Sequence, residues 1–296
     1  MCRSKEMQST TTSRIAALPG QAVFEKSRIS APVRMQLAKS SKRLLVIGGN
    51  GFVGREVCRY AVQNGFVVTS LSRRGQCPDP NDEILAQVDW QAGNALDQAT
   101  INKYVGEADA VVHAIGLLFD VNSGLTQLNN FTSASKSTPD ADSTYDNITR
   151  KTAFMVIDAL NSRLRLPGSG RTPVAFVSCA EAGWPDVKFG EAVEKSSPDW
   201  LKRYLVAKRA VEEKLTLSKD LRPIIVRPSL IWNWTKFDVL PIIPIFNIAN
   251  ALGVPFVDKT VRVETVGASI VSALLNEGIE GVQRFDKMEQ LAKDLD

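Results

Sequence analysis

The chain alternates short apolar runs with longer stretches in which apolar residues recur every three or four positions. The run RLLVIG at 43–48 is short, almost wholly apolar and ends in glycine, which predicts a buried parallel strand. An amphipathic stretch from 51 to 64, stopped by Gly65, predicts a helix. Further apolar runs at 66–71, 87–91, 110–114, 174–178 and 223–227 predict strands. Helical periodicity marks 97–105, opened by an Asp97 cap, and then 144–163, 198–217 and 263–275. Strand and helix alternating in this way predict an α/β fold with a doubly wound parallel sheet. Three stretches fall outside the alternation: a polar loop or insertion at 123–143, an irregular apolar insert at 229–262, and a charged segment after 281 expected to be peripheral.

Charge and composition divide the chain further. Residues 1–42 carry Arg3, Arg14, Arg28, Arg34 and several lysines against only Glu6 and Glu25, and are rich in Ser and Thr. That composition suits an organelle transit segment, with a disordered basic arm as the other reading; it does not separate mitochondrion from plastid. The expected organisation is this arm, a nucleotide-binding domain at 43–228, and a substrate lobe with a C-terminal tail at 229–296 that belongs to the same fold. The formal net charge is only +4 and no basic stripe carries interleaved aromatics, so nucleic acid is not an expected partner. Cys2, Cys58, Cys77 and Cys179 form no CxxC pair, so a disulfide framework is not expected. A single histidine, His113, leaves histidine-based zinc sites and Ser-His-Asp catalysis with almost nothing to work with; no metal is expected.

The candidate chemistry begins at Gly48-Gly49-Asn50-Gly51-Phe52-Val53-Gly54, between the first strand and the first helix. Gly48 permits a tight turn, Gly51 lets backbone approach a pyrophosphate, and Gly54 lets helix and strand pack closely. The helix N-terminus then offers free N–H groups and a partial positive charge to phosphate. An NAD-specific site usually carries an acidic residue at the end of the second strand. This chain reads Ser70-Leu71-Ser72-Arg73-Arg74-Gly75. A guanidinium there suits a 2′-phosphate, so NADP(H) is favoured over NAD(H), with Arg73 the contact; a pair of solvated arginines is the plainer reading.

Tyr204 and Lys208 lie four residues apart, on one face of the expected helix, together with Leu201, Leu205, Val211 and Leu215. Lys208 therefore falls on a stripe that should be buried, where a lysine needs a partner. That partner is either Glu212, one turn on, or a functional group. A nearby ammonium favours a phenolate, which would fit Tyr204 for proton transfer at a carbonyl or carbinol oxygen. Ser178, at a strand end, is either a third member of this set or an ordinary strand-end serine. His113 reads as a wall residue.

Taken together, Gly48-x-x-Gly51-x-x-Gly54, Ser178 and Tyr204-x-x-x-Lys208 resemble the short-chain dehydrogenase/reductase superfamily, over most of the chain. VVHAIG at 111–116 and RPIIVRPSLIW at 222–232 are similar to its extended and atypical branches. GGNGFVG, SLSRRG, VVHAIGLL, YDNITRKTA and RPIIVRP are similar to a fungal mitochondrial group tied to coenzyme Q biosynthesis. The Rossmann-type accessory subunit of respiratory complex I and a plastid group of atypical reductases are related matches. The resemblance implies that Gly48, Asn50, Gly51, Phe52, Val53 and Gly54 bind the pyrophosphate, Arg73 the adenosine ribose, and Asn94 the adenine side. Ala114 and Gly116 would line the nicotinamide side, with Lys208 on its ribose, and Ser178, Tyr204 and Lys208 would be the catalytic set. His113-Ala114-Ile115-Gly116 departs from the Asn-Asn-Ala-Gly run of classical members, and atypical branches often keep the fold without an assigned reaction. The implied partners are a hydrophobic small molecule and a membrane-associated complex, in the mitochondrial matrix or peripheral on its inner membrane. The uncharged stretch 239–257 is expected to form either a greasy surface for a prenylated intermediate or membrane, or an ordinary buried lobe helix.

Overall fold

The computed structural model describes residues 41–123, 142–165, 168–234 and 243–295. Its first strand, β1 (Arg43–Ile47), leads through the glycine loop into α1 (Phe52–Gln63). There follow β2 (Val67–Ser72), β3 (Asp89–Ala92), α2 (Gln98–Glu107) and β4 (Ala110–His113). A π-helical stretch, Asp146–Lys151, runs directly into α3 (Thr152–Asn161), and β5 (Thr172–Val177) comes next. Then come α4 (Gly190–Ser196), α5 (Asp199–Leu217) and β6 (Leu221–Val226). The C-terminal part holds β7 (Ile231–Trp232), α6 (Ile243–Ala251), β8 (Val261–Arg262), α7 (Val263–Leu275), β9 (Gly281–Gln283) and α8 (Phe285–Lys293).

Seven strands form one parallel sheet in the order β3-β2-β1-β4-β5-β6-β9. Strand order reverses between β1 and β4, so the crevice beyond their C-terminal ends is where this fold binds ligands. The period-two alternation of strand side chains divides the core into two layers. Leu44, Val46, Val112, Ala175 and Ile224 face Val57 and Ala61 of α1, Val266 and Ile270 of α7, and Met288 of α8. Leu45, Ile47, Val111, Phe176 and Ile225 face Ile101 of α2, Val156 and Leu160 of α3, and Val211 and Leu215 of α5. The strands are thus buried on both faces, which explains their near-continuous hydrophobicity.

The C-terminal segment corrects an expectation. It is not peripheral: β9 pairs with β6 through Ile224↔Gly281 to Val226↔Gln283, and α8 buries Met288 and Leu291. The charged residues of α8 lie around this narrow apolar stripe. The insert also contains regular structure, with β7 and β8 pairing as a separate two-stranded ribbon. Residues 235–242 lie outside the described part, as do 1–40 and most of the polar stretch 123–143. Helix α6 buries none of its residues fully, and Ile245 and Ile248 are exposed, as is Leu252 just beyond it. Among the described residues of 239–257, α6 is therefore not the ordinary buried lobe helix. No helix among the described residues is long and apolar enough to cross a membrane.

Candidate active site

The glycine loop forms at the C-terminal end of β1. Gly48 has φ 92°, a left-handed conformation that favours glycine, and its N–H donates to Leu71 O at 2.9 Å. A Cβ on Gly54 would collide with the Gly48 carbonyl, so only glycine lets α1 come this close to the loop. Gly51 is the N-cap of α1, and no side chain caps that end. A glycine there brings no capping side chain between the first turn and a ligand, which is what an anion cradle needs. Phe52 and Val53 turn their side chains into the protein, the first buried and the second packed on the core. What they offer a ligand is backbone.

Asn50 does a different job from its neighbours. Its amide donates to Gln76 O and its carbonyl accepts from Ser72 Oγ, which in turn accepts from Gly75 N at 3.1 Å. The glycine loop and the turn after β2 are thus one hydrogen-bonded unit. Arg73 is exposed on that turn, at the end of β2. Asn94 is exposed and its side chain accepts from Leu96 N at 3.0 Å, closing a local turn. On the other side of the loop, Ala114 N donates to Ile47 O at 2.9 Å and Ala114 backbone packs against Gly48.

Across the crevice, α5 carries Tyr204 and Lys208 one turn apart. Lys208 is 2% exposed and donates to Val177 O at 2.7 Å. Its Nζ lies 4.9 Å from the centre of the Phe176 ring and 5.5 Å from that of Tyr204. A Cβ built on Gly116 would stand 4.0 Å from the same nitrogen, so the ammonium reaches the β4 side of the crevice. Burial, only partly offset by Cys179 and Glu212, pulls its pKa down to about 8. Tyr145, just before the π-helical stretch, packs edge-on against Tyr204 at 5.4 Å and donates to Leu118 O at 2.7 Å. Such stretches recur at functional sites because they move side chains off the regular helical face.

Three expectations need correction. The Lys208 partner is not Glu212. That carboxylate accepts from Arg227 Nε at 3.1 Å and from the Arg227 terminal nitrogen at 2.6 Å, and from the Ser178 hydroxyl. Ser178 is buried, and its hydroxyl is engaged by Glu212. The phenol of Tyr204 is not acidified either: burial raises its pKa well above the ordinary value, with Cys179 and Glu181 adding to the effect. Beside Tyr204 stands Cys179, in a small apolar cluster with Leu205 and Trp184, its thiol pushed up to about 12 by burial. His113 is a buried wall residue, as expected, hydrogen-bonded through Nε2 to Thr152 Oγ1 at 2.8 Å. Cys179, Tyr145 and the Arg227–Glu212 pair have no signal in a motif of fixed spacing. Only the burial of Lys208 on its helix face hints that something must balance charge there.

A topological switch point, an uncapped helix N-terminus behind glycines, and a buried lysine beside a tyrosine define a Rossmann-type dinucleotide-binding protein of the short-chain dehydrogenase/reductase kind. The pattern of the NAD dependent epimerase/dehydratase family matches residues 44–232, and the chain belongs to that family. MIOREX complex component 2 of Saccharomyces cerevisiae is 23% identical over 287 residues, covering 83% of this chain and 98% of its own. An uncharacterised chloroplastic protein of Arabidopsis thaliana is 41% identical over 87 residues, 29% of either chain. Among solved structures, ElxO with NADP bound superposes with a TM-score of 0.57 at 15% identity, covering 82% of this chain and 96% of that one. That likeness is one of fold. A nicotinamide dinucleotide is the cofactor class that family and fold support.

Proposed function

We propose that this chain is an NADP(H)-binding mitochondrial protein acting in ubiquinone biosynthesis, with Tyr204 as the general acid/base of an oxidoreductase. The observation that carries the reading is the buried Lys208 ammonium, one turn from Tyr204 and beside Gly116, opposite the uncapped N-terminus of α1. The bound nicotinamide would supply the hydride. Backbone N–H groups of the loop hold its pyrophosphate, Lys208 holds the ribose, and Tyr204 moves a proton at the substrate oxygen. Arg73, on a turn without a carboxylate, meets the 2′-phosphate. Native mass spectrometry of the purified chain is expected to show NADPH carried along, and Arg73→Ala to weaken NADPH about tenfold while sparing NADH. A protein that carries no nucleotide and ignores added NADPH overturns the reading.

The organelle assignment rests on the basic, Ser/Thr-rich residues 1–42. It is supported by the resemblance to the coenzyme Q group and by a yeast relative that is a component of a complex. Residues 1–42 fused to a reporter should enter mitochondria; entry into plastids instead favours a reductase or isomerase there, in line with the chloroplastic Arabidopsis relative. The surface that would meet a hydrophobic partner is α6 and the residue after it, where Ile245, Ile248 and then Leu252 are exposed without a charge among them. Replacing Ile245 and Ile248 with Asp should release the protein from membranes without unfolding it.

A second reading is a non-catalytic scaffold that keeps the nucleotide for structure. It is favoured by the Ser178 hydroxyl being turned to Glu212 and by a Tyr204 phenol made less acidic. Tyr204→Phe separates the two: quinone levels fall under the first and hold under the second.

A further inference from the structure

Lys208 and Glu212 are one helical turn apart, the spacing at which lysine and glutamate ordinarily pair. Both are buried, and a buried pair would be held tightly. The carboxylate is instead taken up on its other side. Arg227, at the end of β6, meets both of its oxygens in a two-pronged contact, and Ser178, at the end of β5, donates to one of them. Arg227 is itself fixed: its N–H donates to Gln283 O at 2.9 Å, and its guanidinium lies close over Gly183, where a Cβ would intrude. Glu212 thus stands between two cations, and its hydrogen bonds go to Arg227, which also pairs with the exposed Asp186 at 3.6 Å.

We propose that Arg227 and Ser178 act as positioning residues: they hold the Glu212 carboxylate away from Lys208, so that the Lys208 ammonium stays unpaired and faces the cofactor crevice. The proposal rests on the reading that Lys208 works at that crevice, and it gives the strand-end Ser178, whose hydroxyl donates to Glu212, a part in that site. The groups that face or act on Lys208 are Glu212 and Tyr204 on its own helix, His113 from β4, and Val177 O and Cys179 at the end of β5. With Glu212 held back, a carbonyl is the only acceptor the described residues give its ammonium. Two of its N–H groups are left for an oxygen-rich ligand such as a ribose.

Trace acetylation with acetic anhydride across pH 6 to 11, read at the Lys208 peptide by mass spectrometry, reports the ionisation midpoint of this lysine without any nucleotide. In the full chain we expect a midpoint near 8. Arg227→Met frees Glu212 to swing to Lys208, and the midpoint should rise by about one pH unit. Ser178→Ala, a milder change chosen to keep the fold, should move it the same way by less. Glu212→Gln leaves two cations facing each other and should lower it. A midpoint unchanged in folded Ser178→Ala and Arg227→Met overturns the clamp. Shifted midpoints in a protein that binds no NADPH leave the clamp standing and sink the cofactor reading instead.

Discussion

At the scale of single residues, the site is governed by what burial does to charge. His113 is enclosed by the sheet, and burial first, then the nearby Lys208, drives its pKa down to about 3 from 6.5. The folded protein keeps the ring neutral, whereas the unfolded chain protonates it below 6.5. Between those values the unfolded state binds the extra proton, so stability falls as pH drops from 6.5 towards 3. This group alone gives a slope approaching ~1.4 kcal/mol per pH unit. We expect His113→Asn to flatten the loss of stability between pH 6.5 and 4, read by urea unfolding at several pH values; equal slopes in both proteins would contradict it. Lys208 runs in the same sense at the alkaline end. Its folded value is depressed to about 8 from 10.5, so the cost of burying its charge is relieved as pH rises through that window. Lys208→Met should therefore be more stable than the natural chain at pH 7, and the gap should narrow towards pH 10.5. Gly54→Ala, whose Cβ meets the Gly48 carbonyl, should cost about 1–3 kcal/mol and weaken dinucleotide binding in the same sample.

At the scale of elements, helix ends decide a good deal. The C-terminus of α7 is closed by a buried side chain from β6: Arg222 donates to the carbonyls of Ala273 at 3.0 Å, Leu274 at 3.0 Å and Asn276 at 3.1 Å, and to Ile279. A cation at the negative end of a helix dipole satisfies carbonyls that would otherwise be buried without donors. Arg222→Met, similar in size but without donors, should destabilise the protein by about 3 kcal/mol in urea unfolding. The same scale shows how far the sequence could be read. The face holding Leu205, Lys208, Val211 and Leu215 was legible because helical spacing fixes it, and all four are buried. The glycine loop was legible because its residue types are a steric requirement. The direction of Ser178 was not, because side-chain alternation fails where a strand ends. Nor was its tie to Glu212 and Arg227, since they come together only when β5, α5 and β6 pack. The strand β9 is not legible in the sequence because three residues, one of them glycine, show no period. Helix α8 was hidden by its charges around a stripe only two buried residues wide.

At the scale of the whole molecule, the sheet is the unit that everything else presumes. The site sits where β1 and β4 part, and its depth depends on helices packed on both faces. Because β9 covers the β6 edge and α8 seals Met288 against α7, removing residues 281–295 should leave an open strand edge and an exposed core. Such a truncation is expected to aggregate on gel filtration and to lose its cooperative thermal transition, even though every candidate site residue is retained. A monomeric, cooperatively folded truncation would show that the last strand is dispensable.

The position of β9 also has a consequence for how the chain is made. Val226 is synthesised well before its neighbour Gln283, and the 57 residues that follow it up to Gln283, at roughly 5–20 per second, put several seconds between the two strands. During that interval β6 has a bare edge, and the backbone N–H of Arg227 lacks the Gln283 carbonyl it donates to. Nucleotide binding should therefore appear late in biosynthesis, and chaperone capture of nascent chains should be strongest between those two points and fall once β9 emerges.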